Sequence, residues 1–592
     1  MAIVLLGGTH LEPKTPKVPL TKPFLYAIAS LYIYAMHFIM SNPGGSGLAL
    51  SFNDTSWIAI SLALGVGLCQ LANNQVIRFS KLTLGLLLTC ILMTIPIFYH
   101  NSDPELVTMR LLGLWAGLLF FWLLQQFRFS NREKQRLLWF IVIGSLIEAG
   151  IGLYQYFIIA PEALAKLQHF TRPSGVFHQP NVMASFLATG LLVSGYLLAR
   201  QPKKYDEHWV QTTLLYLTSL TSSLLLVVLA SRTGWLGSIL GIICLLPYLK
   251  KYASKRRFIT WIIAILVGVS IGFFSMNQQG MSGFVANKID LQSPRRYTFP
   301  QTFDMMVEKP FTGYGYGRFE SQYILYTARQ HQLNPNYPPG LASMDHPHNE
   351  LIYWGVEGGI IPIIGIIIAA SLVCLRLLYA KRGTRLGLFA LLLPIALHTQ
   401  LEYPFYHSAV HWITFLILLY WIDQRSLSYR SLSFHPWIAR LLRILSLLVP
   451  VLISAFMLTT LQTNYVLTRF ERSPSKYPDM INHVTNLAVW KNRYDWDVYS
   501  LYLRKGLKTK QPEDIMPFVT WAPTVIEHQP RPIFYKKLIL SYEALNDTSR
   551  AEQTRNEAQF LFPKIDFTHL HENAISAALS SSKLTTPKPL KE

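Results

Sequence analysis

Apolar runs of roughly twenty residues recur along most of this chain, and a run of that length carries a helix across a hydrocarbon core about 30 Å thick. They lie near 23–40, 56–73, 82–99, 107–127, 137–160, 182–199, 209–230, 233–249, 258–275, 351–375, 386–400, 408–424 and 436–462. By the twenty-residue criterion that makes about thirteen spans, with 386–400 short for one. The composition of the 592 residues, 51% hydrophobic and 14% charged, belongs to the same class. The expected fold is an all-α polytopic membrane protein. Residues 1–8 are too short a run for a cleavable signal, and the first real apolar run is expected to stay in place.

A formal net charge of +21 would suit a nucleic-acid partner, but its distribution does not. Lys and Arg gather in alternate short loops: Arg128, Arg132, Lys134 and Arg136; Lys203 and Lys204; Lys250, Lys251, Lys255, Arg256 and Arg257; Lys381, Arg382 and Arg385. The connections 41–55, 100–106 and 401–407 hold none. This is the positive-inside pattern, so the basic loops face the cytoplasm and no nucleic acid is expected as a partner. The organisation that follows is a cytoplasmic N-terminus (1–22), nine spans (23–275), a large outer loop (276–350), four spans (351–462), an outer helical domain (463–575) and a disordered tail (576–592).

Asp345-His346-Pro347-His348-Asn349-Glu350 closes the outer loop, directly before an apolar span. A neutral imidazole near physiological pH can take a proton from an attacking hydroxyl, so His346 and His348 are both candidate general bases; spacing does not separate them. Asn349 and Glu350 are placed to orient either ring. Arg172, Arg232, Arg295 and Arg296 suit a diphosphate, because guanidinium forks grip phosphate oxygens bidentately and stay charged. They would stabilise charge on a departing pyrophosphate without a metal ion. The bland alternatives are structural histidines and headgroup-anchoring arginines. Against them, the clusters at 172–181, 231–232, 295–296, 346–350 and 402–403 all fall on the outer face. A site there is remote from cytoplasmic ATP and nucleotide sugars, so its substrate must arrive already activated.

Other features are read more plainly. Cys69, Cys90, Cys244 and Cys374 sit within apolar spans without CxxC spacing, as small core residues. The run 313–318 (GYGYGR) lacks a following GK[ST] and an alternating strand–helix setting, so it reads as a tight turn with aromatic packing. Residues 320–345 read as a mobile cover over a cavity. Beyond 463, Leu538, Tyr542 and Leu545 share a helical face, and 549–562 adds a second helix in a pattern reminiscent of tetratricopeptide repeats. Asp495-Trp496-Asp497 matches a metal-binding DxD pattern, but three letters in a helical region are weak support.

His348-Asn349-Glu350 with Trp354-Gly355-Val356-Glu357-Gly358-Gly359 resembles the signature of the O-antigen ligase/polymerase superfamily. Residues 172–181 (RPSGVFHQPN), Glu402-Tyr403-Pro404 and Asn42-Pro43-Gly44-Gly45 resemble, more specifically, PglL-type bacterial protein O-oligosaccharyltransferases. The resemblance covers most of the chain and implies a GT-C-like membrane glycosyltransferase with a periplasmic, TPR-like C-terminal domain, in the bacterial inner membrane. It implies en bloc transfer of a preassembled glycan from undecaprenyl pyrophosphate to a periplasmic acceptor protein such as a pilin, with no cofactor and no required metal. His348 matches the family's essential histidine, Gln179 and Tyr403 match its supporting residues, and Arg232 with Arg295 or Arg296 match its diphosphate-binding arginines. An O-antigen ligase acting on lipid A-core and a glycan polymerase are alternatives with the same chemistry. A transporter is one of a different class, since many spans and Glu148 within one of them would suit a translocation path.

Overall fold

The computed structural model describes residues 19–41, 44–159, 172–201, 209–278, 295–425, 429–474, 478–568 and 570. The expected disordered tail, the start of the cytoplasmic N-terminus, Asn42-Pro43 and the loop segments 161–171 and 279–294 lie outside them.

In chain order the helices are α1 (Thr21–Ile33), α2 (Ser51–Asn74), α3 (Lys81–Thr94), α4 (Pro104–Leu124), α5 (Asn131–Phe157), α6 (Pro180–Leu198), α7 (Trp209–Leu229), α8 (Arg232–Tyr252) and α9 (Lys255–Gln278). Then come α10 (Arg295–Glu308), α11 (Phe319–Leu333), α12 (Glu350–Gly358), α13 (Ile360–Tyr379), α14 (Arg385–Thr399), α15 (Pro404–His407), α16 (Ala409–Asp423) and α17 (Pro436–Arg472). Last are α18 (Leu487–Thr509), α19 (Pro512–Ile526), α20 (Pro532–Ala544) and α21 (Thr548–Leu561).

Among the described residues ten helices are long and apolar enough to cross a membrane: α2 to α9, with α3 reaching the length only through the 3-10 turn that continues it to Phe98, α13 and α17. The expected count of about thirteen is therefore not met by length alone. At the other three positions α1 has 13 residues, and α14 and α16 have 15 each. Two expected spans are also interrupted. The first stops at Ile33 and passes into a 3-10 turn at Ala35–His37. The run 351–375 breaks at Gly359, whose φ of +70° ends α12 and starts α13 at a new angle. A Cβ there would lie 2.2 Å from the Phe311 carbonyl oxygen, so close backbone approach forces both the glycine and the break. One small sheet departs from an all-helical fold: β1 (Val76–Phe79) pairs antiparallel with β2 (Arg430–Ser433). The Gln126 and Trp122 side chains donate to the Arg78 carbonyl beside it at 2.8 and 3.1 Å.

Burial ranks the helices. The hydropathic window of α6 is 94% buried and that of α17 only 11%, so α6 forms the centre and α17 the lipid-facing flank. Helix starts are capped where an orphan N–H would otherwise be costly in an apolar surround. Ser130 with Glu133 forms a capping box on α5, Ser231 caps α8 and Ser408 caps α16.

The segment after α9 does not stand alone. Met305, Phe319, Tyr323 and Tyr353 share one core with Tyr535, Ile539 and Phe562 from the C-terminal helices. The Arg531 guanidinium clasps Glu320 at 2.7 and 2.9 Å across that contact. A second core, including Leu503, Phe518, Trp521, Leu538 and Tyr542, holds α18 to α21 together.

Candidate active site

The site begins with a turn at 173–176 held from below. Gln155 of α5 accepts from the Ser174 and Gly175 amides at 3.0 and 2.8 Å and donates to the Gly175 carbonyl at 3.0 Å. Glu148, also on α5, accepts from the Val176 amide at 3.0 Å, and its other oxygen is 3.5 Å from His37 Nδ1. Gly175 has φ +59°, and a Cβ on it would fall 1.5 Å from Glu148 Oε1. Glu148, which could have suggested a translocation path, is thus occupied with shaping this turn. The chain then enters α6 through Gln179 at the N-cap and Pro180.

Asn181, in the first turn of α6, donates to Glu402 Oε1 at 3.1 Å. Glu402 is 2% exposed and stands in the short connection between α14 and α15. The same oxygen pairs with Arg295 at the start of α10, while Oε2 lies 2.8 Å from His348 Nδ1. Burial alone would raise the pKa of Glu402. The charges of His348 and Arg295 outweigh it and hold the carboxyl well below its usual range. In the neutral form of the ring, a carboxylate on Nδ1 selects the tautomer with the proton on Nδ1, leaving Nε2 with a lone pair to accept one.

The two loop histidines differ in setting. His348 has φ +56°, and its amide donates to His346 Nδ1 at 2.8 Å, closing a tight His-Pro-His turn. The His346 ring is 1% exposed and lies 4.4 Å from the rings of both Tyr353 and Tyr403. Burial holds it neutral, well below the ordinary histidine range, with the neighbouring His348 and Arg110 charges acting the same way. The His348 side chain is 33% exposed, so a substrate can reach it.

Asn349 and Glu350, expected to orient an imidazole, make no hydrogen bond to either ring among the described residues. Asn349 caps α12 through the Ile352 amide and donates to the Gln400 carbonyl, each at 3.0 Å. Glu350 turns inward, and burial raises its carboxyl to about 7. The orienting group is Glu402, 54 residues from His348 in sequence, beyond the reach of any local spacing argument. Tyr403 packs its ring 5.5 Å from His348. Gln179 sits two residues from Asn181 at the mouth of α6.

The arginines separate as well. Arg295 is on Glu402, whereas Arg296 is exposed and lies over the Tyr297 ring at 4.9 Å. Arg172 donates to the Leu229 carbonyl, the last of α7, at 2.6 Å. Arg232 opens α8 three residues later, half-buried at the same end of the bundle. A further arginine, 11% exposed, went unnoticed in the sequence. Arg110 of α4 pairs with Glu357 at 2.5 Å and lies over the rings of Tyr353 and Trp354 at 4.5 and 4.3 Å. Glu357 in turn accepts from the Gly317 amide at 3.0 Å, so the glycine run docks on α12 as a turn with aromatic packing. The DxD residues diverge: Asp495 pairs with Lys491 at 2.7 Å, while burial and the nearby Glu471 raise the Asp497 carboxyl.

Three family models match, in chain order. One described as protein glycosylation ligase covers 173–198, one described as O-antigen ligase covers 217–367, and one described as virulence factor membrane-bound polymerase, C-terminal, covers 386–574. Asn181, the pair Arg295 and His348, and Glu402 come one set from each, so the three matched segments meet at the Glu402 carboxylate. A general O-oligosaccharyltransferase of Acinetobacter baylyi is 23% identical over 330 residues, 52% of this chain and 54% of its own length. A ComP-specific O-oligosaccharyltransferase of the same organism is 26% identical over 186 residues, 30% of this chain and 32% of its own. The matches thus span about half and a third of those relatives. The chain is thus similar, segment by segment, to O-antigen ligases and membrane-bound polymerases, and over 173–198 to a protein glycosylation ligase.

Proposed function

We propose that the chain is a protein O-oligosaccharyltransferase of the bacterial inner membrane, moving a preassembled glycan from undecaprenyl pyrophosphate to a serine or threonine of a periplasmic protein such as a pilin. The observation that carries the reading is the Glu402–His348 contact, which leaves His348 Nε2 basic and reachable beside Arg295. The acceptor hydroxyl oxygen attacks the anomeric carbon in a single inverting displacement. Its proton passes to His348 Nε2, and the bond to the pyrophosphate oxygen breaks with its electron pair leaving on the lipid. The positive charge of Arg295, 31% exposed while on Glu402, stabilises that developing charge, with Arg232 and Arg172 at the same end of the bundle. Gln179 and Tyr403 position the sugar and the acceptor, and the step as written needs no cofactor.

A lipid acceptor, as in an O-antigen ligase, or a second lipid-linked glycan, as in a polymerase, would use the same atoms, and two of the family matches bear those descriptions. The match of 173–198 to a protein glycosylation ligase favours a protein. Intact mass of periplasmic pilin and lipopolysaccharide banding, with wild type, without the gene and with His348→Ala, decides between them. A glycan mass lost in the latter two with unchanged banding supports protein transfer. Altered banding with unchanged pilin selects the ligase, and full glycosylation by a membrane-inserted His348→Ala protein removes the base.

A further inference from the structure

At the end of the bundle away from Glu402, α6 and α16 finish in arginines that lack the partners their neighbours have. Arg200 lies 5.3 Å from the Trp421 ring and 6.0 Å from Tyr196; Arg425 lies 4.8 and 6.0 Å from the same two rings. The floor beneath them is rigid. Tyr248 of α8 stacks on Tyr196 at 4.8 Å, Trp421 Nε1 donates to the Tyr196 hydroxyl at 3.1 Å, and all three rings are buried. Two guanidiniums thus share one aromatic platform.

Two other arginines at this end have close partners: Arg376 has Asp423 at 3.1 Å and Arg385 the Ala380 carbonyl at 2.9 Å. Arg200 and Arg425 have no carboxylate partner among the described residues, and the buried Nε of each makes no hydrogen bond there. Arg200 donates to the Tyr248 hydroxyl. Lys134 adds positive charge beside Arg425. Adjacent like charges repel, and a buried donor without a partner is costly. An anion carrying several acceptor oxygens would relieve both.

We propose that Arg200 and Arg425, over the Trp421–Tyr196–Tyr248 platform, form a binding site for a phosphate group. Both guanidiniums are half-buried at the mouth of a helix bundle, the position at which basic pockets take anionic lipid headgroups. A phospholipid phosphodiester and free inorganic phosphate present the same oxygens. The site is separate from the proposed transfer chemistry and stands whether or not that reading does.

The test uses the full-length protein in phosphatidylcholine nanodiscs, with phosphatidylglycerol titrated in, or inorganic phosphate added instead. Lipid retention is read by native mass spectrometry and stability by Tm. Wild type is expected to retain phosphatidylglycerol preferentially, and the Arg200→Gln/Arg425→Gln protein to hold it about thirty-fold more weakly, from about 1 kcal/mol per arginine. An Arg128→Gln/Arg382→Gln control, removing two exposed charges, is expected to leave retention unchanged. A Tm rise with inorganic phosphate alone, lost in the paired variant, assigns the site to free phosphate. Equal loss in both paired variants, which would mean diffuse charge, overturns the proposal. So does a wild type that responds to neither anion, a result readable even if the paired variant fails to fold.

Discussion

Replacing Glu402 by glutamine keeps the shape of the side chain and removes the charge on which the histidine's tautomer depends. An amide can present its NH2 group to Nδ1 and so favour the wrong tautomer, a change that lowers turnover about 10⁴-fold in a comparable acid–histidine pair. Glu402→Gln is therefore expected to reduce kcat by roughly 10³- to 10⁴-fold with a far smaller change in KM, measured with a lipid-linked donor and purified protein. A loss confined to KM would make Glu402 a binding group only. The pH dependence of stability is set by different residues. His346 is held below its ordinary pKa by burial, so the unfolded chain takes up a proton below about 6.5 that the folded one refuses. Stability falls as pH falls through that point, by up to about 1.4 kcal/mol per unit. His407, buried beside the Phe177 carbonyl, acts in the same direction. Glu350 has the opposite sign: raised to about 7 by burial, it contributes stability in acid that is lost as pH climbs from about 4.3. Glu402, depressed, loses its contribution as pH falls from about 4.3 into stronger acid. Against wild type, His346→Gln should flatten the decline in Tm between pH 7 and 5.5, whereas Glu350→Gln should steepen it. Variants that leave the slope untouched would show that neither group titrates as its burial requires.

Among the elements, the turn at 173–176 shows what the amino-acid sequence made legible. The stretch 172–181 stood out through its resemblance to known transferases, and α6 through its apolar length. Nothing local linked either to Glu148 and Gln155 of α5, because the link is a set of side-chain bonds to backbone amides made only once α5 packs under the turn. The same limit hid the break at Gly359 and the shortness of α1 and α16, though the run 386–400 was already short in the sequence: apolar runs report what lipid tolerates, not where a carbonyl from another segment crosses the helix. A direct test is Gly175→Ala. Its methyl group meets Glu148 Oε1, and its backbone must hold a left-handed φ that costs a non-glycine residue about 1–2 kcal/mol. Gly175→Ala is expected to lower both Tm and transfer. Combining it with Glu148→Ala, which removes the obstructing oxygen but not the φ strain, should recover part of the Tm. Strict additivity of the two would mean that the groups do not meet.

For the whole molecule, the C-terminal helices are built into the side that carries the candidate site rather than hung from it. Tyr535, Ile539 and Phe562 complete a core whose other half comes from α10, α11 and α12, and α12 begins directly after His348-Asn349. Loosening α20 and α21 therefore removes packing from the elements that hold His348 and Arg295, although no C-terminal residue touches Glu402 among the described contacts. The Arg531–Glu320 pair is the place to apply that stress. Glu320 is 6% exposed, and without Arg531 its charge is stranded in the joint core. Breaking a buried pair on one side costs about 3–5 kcal/mol, and the low end applies here because the guanidinium is 31% exposed. Arg531→Ala should then open the C-terminal hairpins to limited proteolysis and lower transfer together, while Arg531→Met with Glu320→Gln, which removes both charges and keeps the volume, should restore protection and most of the activity. If proteolysis rises with activity unchanged, the C-terminal helices serve something other than holding the catalytic loop. If the double replacement is as impaired as the single one, charge stranding is not the cause, and the apolar contacts of Tyr535 and Phe562 carry the joint instead.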